Sequence, residues 1–221
     1  MAAVDTSLIE LDRSSDVAEV RLNQPDKLNA LNPEMVQGLH DAFSALSDER
    51  GTPVMLAGNG RVTCAGMDTD IVSGDYQGEH GDLNDVLQEV YDLIETHPGP
   101  VAMAGKGAVV GAASLLAFSC ELTYLGEETT FAIPEVKYGI TATRATQQLP
   151  DLVGRHVAAE LLLTGDELEP ERARDLGIAN DVVPDDEVED HTRDVLATIA
   201  EHDDEIVAEL IDGLAPDWGD T

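Results

Sequence analysis

Residues 100–121, PVAMAGKGAVVGAASLLAFSCE, constrain the fold more than any other stretch of the chain. Lys106 and Glu121 are the only charged residues in it, and the rest are mostly small or aliphatic, with no polar face. Such a stretch has to be enclosed by other elements. Residues 101–104 read as a buried strand. Gly105, Gly107, Gly111, Ala112 and Ala113 follow, small enough for tight turns and close backbone approach, and residues 113–119 then read as an apolar helix. A strand running through glycines into a buried helix indicates an α/β interior.

The flanking pattern agrees. Residues 7–11 and 17–22 predict a hairpin, and Asn32-Pro33-Glu34 opens a helix with the stripe Met35, Leu39, Ala42, Phe43 and Leu46. A strand at 53–57 and a helix striped by Leu83, Val86, Leu87, Val90 and Ile94 come next. Further strands are expected at 122–124, 130–133 and 178–183, with helices around 146–153, 156–164 and 170–176. The recurring strand–strand–helix order fits a spiral α/β architecture as well as a doubly wound sheet. At 221 residues the chain suits one domain, with a core over 1–184 and an acidic helical extension over 185–221. Aromatics are only 4%, so Ala, Val, Leu and Ile must build the core. The extension, with Arg193 as its single basic residue, is expected to pack outward or against another subunit.

The formal net charge is −33, from 45 acidic and 12 basic residues, and the lysines are Lys27, Lys106 and Lys137 alone. Acids spread along the whole chain, so this is no local tail. Such charge in a chain without apolar periodicity would mean disorder; here the periodicity is strong and points to a folded protein of a salt-rich cytoplasm. Nucleic acid and anionic membranes are disfavoured as partners. Cys64 and Cys120 are too few for a disulfide framework and fit a reducing cytosol. No signal peptide or membrane-spanning run is expected. The six histidines lack ligand spacing, so no metal site is predicted.

Four segments together resemble the crotonase (enoyl-CoA hydratase/isomerase) superfamily: GNGRVTCAGMD at 58–68, the 100–121 stretch, FAIPEVKYGI at 131–140 and LLLTGDELEPERARDLGIANDVVP at 161–184. The likeness covers about residues 5–190 and implies a crotonase-like spiral, a C-terminal helical oligomerisation region, a homotrimer or hexamer, and an acyl-CoA thioester substrate with no separate cofactor. It assigns an oxyanion hole to the backbone N–H groups of Met67 and Ala112. Donors of that kind, aimed at a developing enolate oxygen, lower a barrier by about 3–4 kcal/mol each. It assigns the catalytic base to Glu135.

The family's hydratases carry a second glutamate where this chain has Leu115. Hydration needs a water held and deprotonated as well as a proton delivered to the α-carbon. Shifting a double bond from the 3- to the 2-position needs only one group that takes a proton and returns it. Leu115 with Glu135 therefore resembles the Δ3,Δ2-enoyl-CoA isomerases, with an atypical hydratase and a non-catalytic acyl-CoA-binding protein as rivals. Thr143 stands where dienoyl-CoA isomerases carry an extra acid. Leu115, Thr143 and Arg144 are expected to line the acyl pocket; an exposed helix-start arginine is the competing place for Arg144. The CoA-side loop implies contacts from Lys27, Asn29 and Ala30, with Arg61 as a second cation, although Asn29 and Asn32 could equally form a turn and a helix cap. Ser114 lies outside any GxSxG elbow and reads as a helix residue.

Overall fold

The computed structural model describes residues 6–74 and 83–214. Strands β1 (Ile9–Asp12) and β2 (Ala18–Leu22) form the expected antiparallel hairpin, with Ala18, Val20 and Leu22 turned inward. After a 3-10 turn at Pro25–Lys27, α1 (Pro33–Leu46) is capped as the sequence predicts: the Asn32 side chain accepts from Met35 N–H at 2.9 Å. Then come β3 (Val54–Gly58), the short α2 (Thr69–Val72) and α3 (Leu83–Glu95), which packs on α1. Strands β4 (Val101–Gly105) and β5 (Ala108–Val110) lead into α4 (Ala112–Phe118), and β6 (Leu122–Gly126) and β7 (Thr130–Ala132) lead into a 3-10 turn at Glu135–Tyr138. The chain continues through α5 (Thr143–Val153), α6 (Arg155–Thr164), β8 (Glu167–Leu168), α7 (Pro170–Asp175), β9 (Asp181–Val183), α8 (Val188–Ala200) and α9 (Asp204–Leu214).

Two sheets organise these elements. The larger runs β1-β2-β3-β4-β6-β9 and is parallel from β2 onward; the smaller runs β5-β7-β8. Successive turns place β4 in the large sheet and β5 in the small one, then β6 and β7 likewise, which is the spiral arrangement. Strands β3 and β4 sit centrally and are buried along their whole length. That is why VMLAG and VAMAG carry no polar alternation. The main core fills the space between the sheets and α1, α3 and α4, with Phe43, Met103 and Phe131 among its largest members.

Pattern reading misses β5 and β8. Strand β5 is three residues set among glycines and β8 is two, too short to show a period. The expectation for the C-terminal extension also needs correction. Val188 and Leu196 of α8 are fully buried on the outer face of the large sheet, against Met55, Ala57, Ala102 and Ala104. Small side chains on β3 and β4 let the helix come close. Charges complete the docking: Glu189 takes both Lys106 and Arg21, the latter at 2.7 Å, and Arg193 reaches Glu19 at 2.7 Å. Helix α9 does keep an apolar face outward, with Ile206, Leu210 and Leu214 exposed.

Candidate active site

Three parallel segments lie side by side: Cys64 bridges to Val109, and β5 pairs with β7. Their carboxyl ends point the same way, and the residues just beyond them form the site. Ligands of open α/β sheets are received at such ends.

The first segment turns at Gly66. Its φ is +94°, and a Cβ built there would come within 2.6 Å of the Val110 carbonyl oxygen, so a side chain is excluded twice over. Leu31 N–H donates to the Gly66 carbonyl at 2.7 Å and Asp68 N–H to the Leu31 carbonyl at 2.9 Å, which fixes the peptides on either side of Met67. The Met67 N–H itself has no acceptor among the described residues.

The second segment turns at Gly111, φ +60°, into α4. Gly111 N–H donates to the Ala132 carbonyl at 2.8 Å, tying the start of α4 to β7. Ser114 Oγ lies 2.8 Å from that same carbonyl and 3.0 Å from Val109's. Its buried hydroxyl is a brace for this junction, in agreement with the sequence reading of a helix residue. Ala112 N–H, like that of Met67, meets no acceptor among the described residues. The two elements touch: a Cβ at Gly66 would lie 3.9 Å from Ala112 N.

The third segment ends in Pro134 and Glu135. One carboxylate oxygen lies 3.3 Å from where a Cβ on Gly111 would sit. The other is buried and without a hydrogen-bond partner among the described residues. Burial pushes the Glu135 carboxyl above its ordinary value. One turn into α4, Leu115 returns its N–H to the Gly111 carbonyl at 3.3 Å and is 7% exposed.

The remaining expectations divide. Thr143 is the exposed first residue of α5. Arg144 is neither an exposed helix-start residue nor a free cation: Asp92 holds it at 2.8 Å and Glu95 at 2.5 Å, and it lies 5.2 Å from the Tyr91 ring centroid. Two carboxylates match its charge, so it is not available to pair with an acid on an acyl chain. Asn29 is fully buried; its amide oxygen accepts from Gln24 N–H at 2.8 Å and its amide nitrogen donates to the Asn59 and Val62 carbonyls at 2.9 Å each. That side chain organises the loop and offers nothing to a nucleotide. Ala30 lies half-buried beside it. Lys27 is 59% exposed and 3.8 Å from Asp68. Arg61 is exposed.

One residue of this site escapes pattern reading. Tyr91, in the middle of α3, is buried, and its hydroxyl lies 3.3 Å from the Ala112 carbonyl oxygen. Burial raises its phenol pKa, and the Glu135 charge raises it further. A tyrosine beside the aliphatic stripe of α3, in a chain so poor in aromatics, was the available signal.

N–H groups without acceptors among the described residues at two adjacent turns, beside a carboxylate with one unpartnered oxygen, are a set suited to stabilising an oxyanion while a proton moves. The chain belongs to the enoyl-CoA hydratase/isomerase family, whose model matches residues 12–218. It is 31% identical to a crotonyl-CoA hydratase of Syntrophomonas wolfei over 183 residues, covering 81% of this chain and 70% of that one. The human mitochondrial Δ(3,5)-Δ(2,4)-dienoyl-CoA isomerase is 30% identical over 186 residues, covering 78% of this chain and 57% of its own length. A solved enoyl-CoA hydratase-type structure from Streptomyces coelicolor A3(2) superposes with a TM-score of 0.88 at 26% identity, covering 100% of this chain and 84% of the other. The chain is thus an enzyme of hydratase/isomerase type with the crotonase fold. Among the described residues no helix is long and apolar enough to cross a membrane.

Proposed function

We propose that the protein is an enoyl-CoA isomerase that moves a 3-enoyl double bond to the 2-position. Glu135 takes the proton from the carbon beside the thioester carbonyl, the electrons pass to the carbonyl oxygen, and the N–H groups of Met67 and Ala112 receive the resulting anion. The same carboxyl then returns the proton to C4 as the double bond re-forms at C2. The observation that carries this reading is the pairing of half-buried Glu135, one carboxylate oxygen of which is buried without a hydrogen-bond partner among the described residues, with apolar Leu115, where hydratases of the family use a second glutamate. Thr143, lacking an acid, disfavours dienoyl isomerisation.

The rival reading, an enoyl-CoA hydratase with another group holding the water, is supported by the likeness to the Syntrophomonas enzyme. The test is a panel of acyl-CoA thioesters in molar KCl. Turnover of a 3-enoyl-CoA supports the proposal; tight binding of thioesters with no turnover of any of them would replace it with a non-catalytic acyl-CoA-binding role.

Lys27 and Arg61 are the cations we assign to the CoA phosphates; no metal or further cofactor is called for. We also read the acidic extension as part of the same domain, because α8 covers the large sheet; residues 215–221 of it lie outside the described residues. The exposed Ile206, Leu210 and Leu214 of α9 favour a trimer or hexamer, which light scattering in high salt would show and a monodisperse monomer would contradict. We further assign the chain to a salt-rich cytoplasm. With a net charge of −33, screening relieves self-repulsion, so the unfolding temperature rises across a KCl series. A melting temperature that stays flat or falls up to multimolar KCl would remove that assignment.

A further inference from the structure

The chemistry above leaves Tyr91 without a role. Its ring is 1% exposed and packs in the main core, where phenylalanine would bury as much apolar surface without a hydroxyl to satisfy. The hydroxyl meets the carbonyl of Ala112, the residue whose N–H is the second proposed oxyanion donor. The ring is braced by Arg144, clamped between Asp92 and Glu95, and Glu95 in turn accepts from Ser119 Oγ at 3.0 Å and from Gln148. Side chains of α3, the end of α4 and α5 therefore form one network around Glu95, and its Arg144 lies against the Tyr91 ring.

Gly111 sits at φ +60°, and its carbonyl, on the peptide that carries Ala112 N–H, accepts from Ser114 N–H at 2.8 Å and from Leu115 N–H at 3.3 Å. Those bonds fix the peptide within α4, and the Tyr91 hydroxyl, on the next carbonyl, ties that first turn to α3. We propose that Tyr91 is a positioning residue: its hydroxyl, bonded to the Ala112 carbonyl with Arg144 against the ring, orients the first turn of α4 so that Ala112 N–H meets the thioester oxygen as it becomes anionic. At 3.3 Å the bond is long for a hydroxyl donor and adds little to the resting fold. A donor held slightly off the developing oxyanion loses transition-state stabilisation rather than ground-state binding, so the effect falls on the transition state. The proposal rests on the acyl-CoA reading but is indifferent to isomerase or hydratase, since both reactions pass through the same oxyanion.

Tyr91→Phe removes the oxygen and keeps the ring. With 3-enoyl-CoA and crotonyl-CoA as substrates, kcat falls about tenfold on whichever one the wild type turns over, while KM and the melting temperature stay unchanged. A 2,4-dienoyl-CoA gives a readout independent of turnover, because its absorption moves to longer wavelength when donors polarise the carbonyl. The wild type shows that shift and Tyr91→Phe shows less of it. An unaltered kcat and absorption shift in the variant, or a melting temperature that drops together with a changed KM, would overturn the positioning role. If the wild type polarises the dienoyl thioester yet turns over neither substrate, the proposed isomerase fails and Tyr91 is judged on the absorption shift alone. No shift in the wild type overturns both.

Discussion

Glu135→Gln lowers isomerisation of a 3-enoyl-CoA by at least about a hundredfold, within the range that a positioned general base contributes. The amide keeps the shape of the side chain but cannot accept the proton, so acyl-CoA binding and the melting temperature stay close to wild type. The pH profile carries a second signature. Burial raises the Glu135 pKa, and the base acts in its ionised form, so wild-type activity rises with pH through a midpoint above the ordinary carboxylate range. In the variant that limb is absent. Steady-state kinetics across pH, with thioester titrations alongside, check both. A variant retaining more than about a tenth of wild-type turnover would remove Glu135 from the mechanism.

Leu115→Glu tests the other half of the inference. Leu115 is 7% exposed within the main core, and an uncompensated carboxylate there costs about 3 kcal/mol, read as a lower melting temperature. The new acid stands one turn from Gly111 on α4, and Glu135 lies against Gly111, so the pair can hold and deprotonate a water. Hydration of crotonyl-CoA therefore rises above the wild-type level while isomerisation falls. A variant that folds, binds thioesters and gains no hydration would show that Leu115 is not what separates the two reactions.

The large features of the fold were legible because they rest on local chemistry. Asn32 and Pro33 mark the start of α1, the uninterrupted apolar runs mark the central strands, and the small residues around Gly66 and Gly111 mark tight turns. What escaped depends on contacts distant in sequence. Strand β5 exists because Cys64 and β7 flank it, with too few residues to show an alternation. Helix α8 has a genuine stripe in Val188, Val195, Leu196 and Ile199, but its dense acids masked it, and no local rule says that Ala57, Ala102 and Ala104 wait to receive it. Arg144 could be placed near the acyl site from its segment; that Asp92 and Glu95 already hold it is a property of helix α3. The same holds for Asn29, whose partners Asn59 and Val62 lie some thirty residues away. Tyr91 combines both difficulties, an ordinary helix position whose hydroxyl acquires meaning only where α4 begins.

The most direct measurement compares wild-type turnover of a 3-enoyl-CoA with wild-type hydration of crotonyl-CoA, in the same molar KCl buffer and at saturating substrate. Isomerisation well above hydration is the expected result, because one carboxylate can return a proton but has no partner to hold the attacking water. Efficient hydration of crotonyl-CoA with no shift of the 3-enoyl double bond would contradict it and make the protein a hydratase despite Leu115.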